Sequence, residues 1–180
     1  MNQSFKQTTL NVTSFISVGI LSFASFLALP QKIAMAEPVY AGPGHIFESH
    51  NQTTTQLTLQ ANQCWVGTGL DVYGLDAVHI QAYGTWSNGG DNIQFVDANG
   101  FRDYSHPGQV VGHANFASLI GRLGVDGRPF PIGTSGVAMV FRGSGEGQLY
   151  LSINDVPETC GDNIGDLDIW LTPGVMAPRR

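Results

Sequence analysis

The chain has 180 residues, 42% of them hydrophobic and 12% charged, with a formal net charge of −6 at pH 7. Both lysines, Lys6 and Lys32, lie in the first 36 residues; from residue 37 onward six Arg face fourteen Asp and Glu, a formal charge of −8. That balance excludes the basic footprint a nucleic-acid binder needs to neutralise phosphates, so no nucleic-acid partner is expected, and it suits hard cations, which take carboxylate and carbonyl oxygen.

Residues 1–36 have the layout of a secretory leader. Lys6 gives a positive start, FISVGILSFASFLAL (residues 15–29) an apolar centre, and Ala34, Met35 and Ala36 a small-residue cleavage site. Serines interrupt the apolar run, which falls short of the roughly 20 residues a spanning helix needs. A signal peptide cleaved after Ala36 is therefore expected, with a secreted or periplasmic product and no stable membrane span after cleavage. Retention as an anchor is the alternative. Residues 37–58, rich in Pro, Gly, Thr and Asn, keep no period until their end and are expected to be a linker or mobile arm.

From about Leu57 short apolar alternations take over. AVHIQAYG sets Val78, Ile80 and Ala82 on one face and His79, Gln81 and Tyr83 on the other, which places His79 at the surface. GVAMVF is a less regular strand, and RGSGEG after it reads as a hairpin turn. QLYLSI aligns Leu149, Leu151 and Ile153, and DLDIWL aligns Leu167, Ile169 and Leu171 opposite Asp166, Asp168 and Trp170. Period-two patterns with frequent turn signals predict an all-β sandwich over 59–173. FASLIGRL is read as a strand because Gly121 would weaken a helix. PGVMAPRR is expected to fray as a tail over 174–180. The connection from Trp86 to about Val111 is long for a compact domain, a length that usually marks function or mobility. Trp65, Trp86 and Trp170 are read as packing aromatics. Cys64 and Cys160, the two cysteines, are either one disulfide or two separate thiols, and neither has the neighbours of a zinc site.

The densest chemistry lies in NDVPETCGDNIGD (residues 154–166). Asp155, Asp162, Asn163 and Asp166 offer side-chain oxygens, Glu158 and Thr159 can add more, and Gly161 and Gly165 let the chain curl. Such a run can wrap one Ca²⁺, which takes about six to eight oxygens in a forgiving geometry. The plainer reading is a solvated acidic turn. The run has neither the ligand spacing nor the closing Glu of an EF-hand. DANGFRD (residues 97–103) is a weaker candidate, better explained as a surface turn. The carboxylates of the 154–166 run, clustered in one turn, suit a metal better than the separated acid and base of a glycosidase, and no nucleophile–base pair is apparent, so no catalysis is expected.

NDVPETCGDNIGDLDIWL resembles the C-terminal signature of the PA-I galactophilic lectin family, small calcium-dependent galactose-binding bacterial lectins with an N-D-x-P-x-x-Y-G-[DN]-N-S-G run. Upstream, WVGTGLDVYGLDAVHIQAYGTWS is similar to the family's opening strands, HPGQ (residues 106–109) to its sugar-contacting H-P-x-Q segment, and SLIGRLG to the strand that follows. The resemblance spans about residues 62–172. It implies a two-sheet jelly-roll β-sandwich of the galactose-binding-domain-like kind, with one Ca²⁺ held by Asp155, the Thr159 carbonyl, Asp162, Asn163 and a carbonyl at or near Asn88. It also implies a galactose-type hexose or glycan as partner, held by His106 and Gln109 on one side and by Asp155, Val156 and Asp162 on the other. Homo-oligomers are consistent with it. The chain departs from the pattern at Cys160, Ile164 and Asp162, and residues 89–105 match poorly. A calcium-rigidified structural or adhesion module that ignores sugars is the alternative.

Overall fold

A computed structural model describes residues 45–49, 53–90, 93–140 and 143–178, all within one compact unit, Ala36–Arg180. The expected leader lies outside the described residues, as does the start of the expected arm. Nine strands are described, and they form two antiparallel sheets. In chain order they are β1 (His45–Ser49), β2 (Thr55–Gln60), β3 (Val66–Val72), β4 (Asp76–Ser87), β5 (Leu119–Leu123), β6 (Phe130–Pro131), β7 (Ser135–Met139), β8 (Gly147–Ile153) and β9 (Ile164–Pro178). One sheet runs β1-β9-β4-β7, with β2 also paired to β9; the other runs β3-β8-β5-β6. Among the described residues no helix is long and apolar enough to cross a membrane.

The alternating segments behave as their period demands. Val78, Ile80 and Ala82 from β4 meet Leu167, Ile169 and Leu171 from β9 on one inner face. Leu149, Leu151 and Ile153 from β8 and Leu119 and Leu123 from β5 supply the other. Asp166, Asp168 and Trp170 face outward, where Trp170 meets Tyr83 edge to face. Side chains alternate because the pleat turns successive Cβ atoms to opposite faces. The strand expected within FASLIGRL is β5.

Four expectations need correction. The described part of the arm is not a linker: β1 pairs with residues 174–178 of β9, and β2 with residues 166–171. The expected tail is correspondingly the end of β9, which continues to Pro178. Gly174 permits this pairing, since a Cβ there would strike the Phe47 ring and the Glu48 carbonyl. His79 is not at the surface; it is 3% exposed. Phe47 from β1 packs over its ring, 5.8 Å between centroids, and joins Ala77 and Met176 in a second apolar cluster. Finally, the segment after β7 does not close a hairpin, because β7 and β8 belong to different sheets.

The burial of His79 has a consequence for stability. Its Nε2 lies 3.1 Å from the Ser135 hydroxyl, and desolvation holds its pKa below the usual histidine value. The unfolded chain therefore takes up the proton more readily than the fold does. The fold's full stability is present above about pH 6.5, the unfolded value, and drains away as pH falls from there towards the lowered one. Urea midpoints measured at pH 7.5 and 5.5 should fall more steeply for the wild type than for His79→Gln; parallel slopes would contradict this account.

Candidate functional site

The 12-residue β4 strand ends at Trp86 and Ser87, beside the start of β9. Trp86 is fully buried; its indole donates to the Ala117 carbonyl at 2.8 Å, and its backbone pairs with Val96. The turn that follows, Asn88-Gly89-Gly90, has positive φ at both glycines. At Gly89 this matters, because a Cβ would strike the Asp162 carbonyl. The missing side chain lets the turn lie against Asp162 and brings Asn88 to the rim shared with the acidic loop.

The acidic loop is fixed from both ends. At its start, Asn154 is fully buried. Its Oδ1 accepts the Val111 N–H at 2.8 Å, and its Nδ2 donates to the carbonyls of Val111 and Asn115 at 3.1 and 3.0 Å. At its other end a one-turn 3-10 helix, Cys160–Asp162, begins at a cysteine bonded to Cys64, 5.8 Å away between Cα atoms. Of the two cysteine pairings the sequence left open, the disulfide is the one present. Between these anchors Asp155 is buried, its Oδ1 accepting the Val156 N–H at 2.6 Å. The Thr159 hydroxyl donates to the Val156 carbonyl at 2.8 Å.

These anchors shape a cavity of about 590 Å³. Asn88, Asp155, Val156, Thr159 and Asp162 line one side and His106 another. The volume lies within the range of small-molecule sites. Thus the metal-binding candidates Asn88, Asp155, Thr159 and Asp162 come together, and the sugar-binding candidates His106, Asp155, Val156 and Asp162 share the same space. Asn163, the fifth metal candidate, does not line the cavity; it is buried next in sequence to Asp162, its Nδ2 donates to the Ala61 carbonyl at 3.3 Å, and its Oδ1 is buried with no partner among the described residues. An acceptor stranded in this way costs roughly 1–3 kcal/mol unless something donates to it or coordinates it. Among the described residues no three His, Cys, Asp or Glu side chains gather in a metal-binding group. The loop instead offers two carboxylates, an amide oxygen and carbonyls, a donor set that suits Ca²⁺ rather than a softer metal.

Other candidates are placed elsewhere. Gln109 does not line the cavity. Its Oε1 accepts the His106 N–H at 2.5 Å, and its Nε2 donates to the carbonyls of Val111 and Ala114, both at 2.7 Å. It acts as a clamp on its own loop. Asp166 sits in the β2–β9–β4 pairing, away from the cavity, and Glu158 lies on the loop's other side, facing a smaller cavity that includes the disulfide. In DANGFRD, Asp97 accepts the Asn99 N–H at 2.8 Å in a turn, and Asn99 in turn accepts from Thr134.

The far wall was not visible in the sequence. Gln94, Phe101, Arg102, Tyr104 and Phe116 line it, with Gly90 at the turn. Phe101 stacks on Phe116, Tyr104 meets both rings edge to face, and His106 lies over Phe116 with centroids 5.1 Å apart. The His106 Nδ1 is buried without a partner among the described residues. The only signal for this wall was the excess length of the 86–111 connection.

A family model described as "PA-IL-like protein" matches residues 58–173. Among solved structures, the chain is similar to one described as "EclA N-terminal domain; PllA-like lectin", with 21% identity and a TM-score of 0.48, covering 66% of this chain and 94% of that one. No curated protein matches.

The clamp role of Gln109 is open to measurement. Gln109→Ala removes three hydrogen bonds and should cost about 1–3 kcal/mol of stability in urea, with no sugar or calcium present. A side chain whose only duty was to contact a ligand would leave that stability unchanged.

Proposed function

The chain belongs to the PA-IL-like protein family, a family of lectin-type carbohydrate-binding proteins, and we propose that it is an exported, calcium-dependent lectin for a galactose-type hexose. The observation that carries the calcium reading is the buried, unpartnered Oδ1 of Asn163 beside a loop that already presents Asp155, Asp162 and Thr159 to one cavity. Asp155 and Asp162 would hold the ion through carboxylates, Asn163 through its side chain, and Thr159 and Asn88 through backbone carbonyls. When bound, the ion would offer a hard positive centre to which vicinal sugar hydroxyls bind as neutral oxygens.

The chain's own residues do the rest. His106 presents a hydrogen-bonding ring against the aromatic wall, and Phe116 beneath it fixes its tilt. Tyr104, half exposed, offers a ring edge and face to the apolar side of a pyranose. Backbone at Asp155 and Val156 sets the opposite wall. The disulfide supports export, since such bonds persist in oxidising compartments. In this reading the site binds and orients its ligand, a role that membership of a lectin-type family supports.

Calorimetry of the leaderless protein tests the reading. Methyl galactoside should bind in Ca²⁺ and not in excess EDTA. Asp155→Ala should abolish the binding of both ion and sugar, whereas His106→Ala should weaken the sugar alone, by about tenfold for one lost hydrogen bond of ordinary to charge-assisted strength. Unchanged calcium affinity in Asp155→Ala would refute the ion assignment. A protein stabilised by Ca²⁺ that ignores every sugar would instead be the calcium-rigidified adhesion module.

A further inference from the structure

The far wall carries one charge that the hexose reading does not use. Arg102 lines the cavity together with Asp155 and Asp162. Among the described residues no hydrogen bond, ion pair or ring contact engages its side chain. This is unusual company for an arginine in so acidic a chain. Arg122, by comparison, lies over the Trp65 ring at 4.2 Å and near the Tyr150 ring at 5.5 Å.

The backbone beneath Arg102 is well anchored. The Phe101 N–H donates to the Phe116 carbonyl at 2.9 Å, the Tyr104 N–H to the Phe101 carbonyl at 3.2 Å, and the Phe116 N–H to the Tyr104 carbonyl at 2.8 Å. Asp103, the next residue, takes a positive φ of 57°, which turns the chain sharply at this point. The flanking rings Phe101 and Tyr104 pack against Phe116. The guanidinium therefore projects from a fixed base, and its planar fork matches a carboxylate or sulfate with two parallel hydrogen bonds.

The charge balance of the cavity points the same way. Asp155 and Asp162 alone would repel an anion. A divalent cation on the acidic loop would cancel those two charges and, among the described lining residues, leave Arg102 as the net excess, one positive charge at the cavity. The volume, about 590 Å³, leaves space beyond a single hexose ring for a charged substituent or a second residue.

We infer that Arg102 is a specificity-determining residue that selects saccharides carrying an anionic oxygen group, a carboxylate or a sulfate ester, over their neutral parents. The inference rests on the saccharide reading of the site and adds the ligand's charge to it.

The test compares neutral methyl β-galactoside with methyl β-galactosiduronate and with the 3-O- and 6-O-sulfated methyl galactosides. Each is titrated by calorimetry in Ca²⁺ at low and high salt. At least one anionic sugar should bind the wild type about tenfold more tightly than the neutral parent, as a charge-assisted pair predicts. That ratio should shrink as salt rises and fall to about one in Arg102→Gln. In His106→Ala both neutral and anionic affinities should drop while the ratio persists. A preference confined to the uronide, or to one sulfate, identifies which group the fork receives. Equal affinities in the wild type, or a preference that survives Arg102→Gln, would overturn the role of Arg102 and leave the lectin reading standing. A wild type that binds none of the four sugars would overturn the saccharide reading, and this inference with it.

Discussion

The candidate site depends on one buried amide. Asn154 closes β8 and opens the acidic loop, and its side chain pairs with both the N–H and the carbonyl of Val111 while reaching the Asn115 carbonyl. Its backbone joins in, donating to the Ser118 carbonyl at 2.7 Å and accepting the Ala117 N–H at 2.9 Å. Two loops that meet in no sheet ladder are thereby held in register: residues 106–115, which carry His106, and residues 155–163, which carry the oxygen donors. Each buried polar group left unmade would cost roughly 1–3 kcal/mol, so the loops hold one relative position firmly. Gln109 and the disulfide extend the same constraint outward. Gln109 closes the His106 loop on itself, and Cys64–Cys160 closes a loop of 96 residues, which in the chain-entropy account is worth about 4–5 kcal/mol.

That rigidity explains how an unsatisfied acceptor survives. Among the described residues the Asn163 Oδ1 is buried without a partner while its Nδ2 is tied to Ala61. A flexible loop would rotate the amide into water or let the oxygen find a backbone N–H. Here the disulfide at Cys160 and the Gly89 turn pressed against Asp162 prevent that relaxation. The fold thus tolerates a local cost at the place where a cation would repay it.

What the sequence revealed follows the range of the interactions involved. The strands with clean alternation, β4, β8 and β9, were legible because period two is a local signal. Their inner residues Val78, Leu151 and Ile169 are core residues as expected. The oxygen donors were legible because four of the five metal candidates fall within residues 155–163. β1 was hidden, since HIFES has no clean alternation and its partner in β9 lies far along the chain. His79 went wrong for the same reason: its own strand pattern puts it outward, and Phe47 from β1 packs over it there. The clamp role of Gln109 was not legible, because HPGQ identifies a loop without saying which way the amide turns. The aromatic wall, Arg102 and the positioning role of Asn154 arise wholly from contacts between segments distant in sequence, and no spacing rule reports them.

The two walls of the cavity therefore have different physical origins, and this bears on specificity. The loop side is built from contiguous residues under a covalent and hydrogen-bonded clamp; changing any of them disturbs the donor set as a whole. The far wall rests on the Phe101–Tyr104–Phe116 ring cluster, and Gln94 and Arg102 line the cavity beside it. Substitution of Gln94 or Arg102 leaves that ring cluster in place and alters the charge and shape of the cavity. A scaffold arranged in this way can keep a constant oxygen-donor face while its opposite face varies, and the described side chains of that opposite face, Gln94 to Tyr104, come from the part of the domain that fits the family signature least.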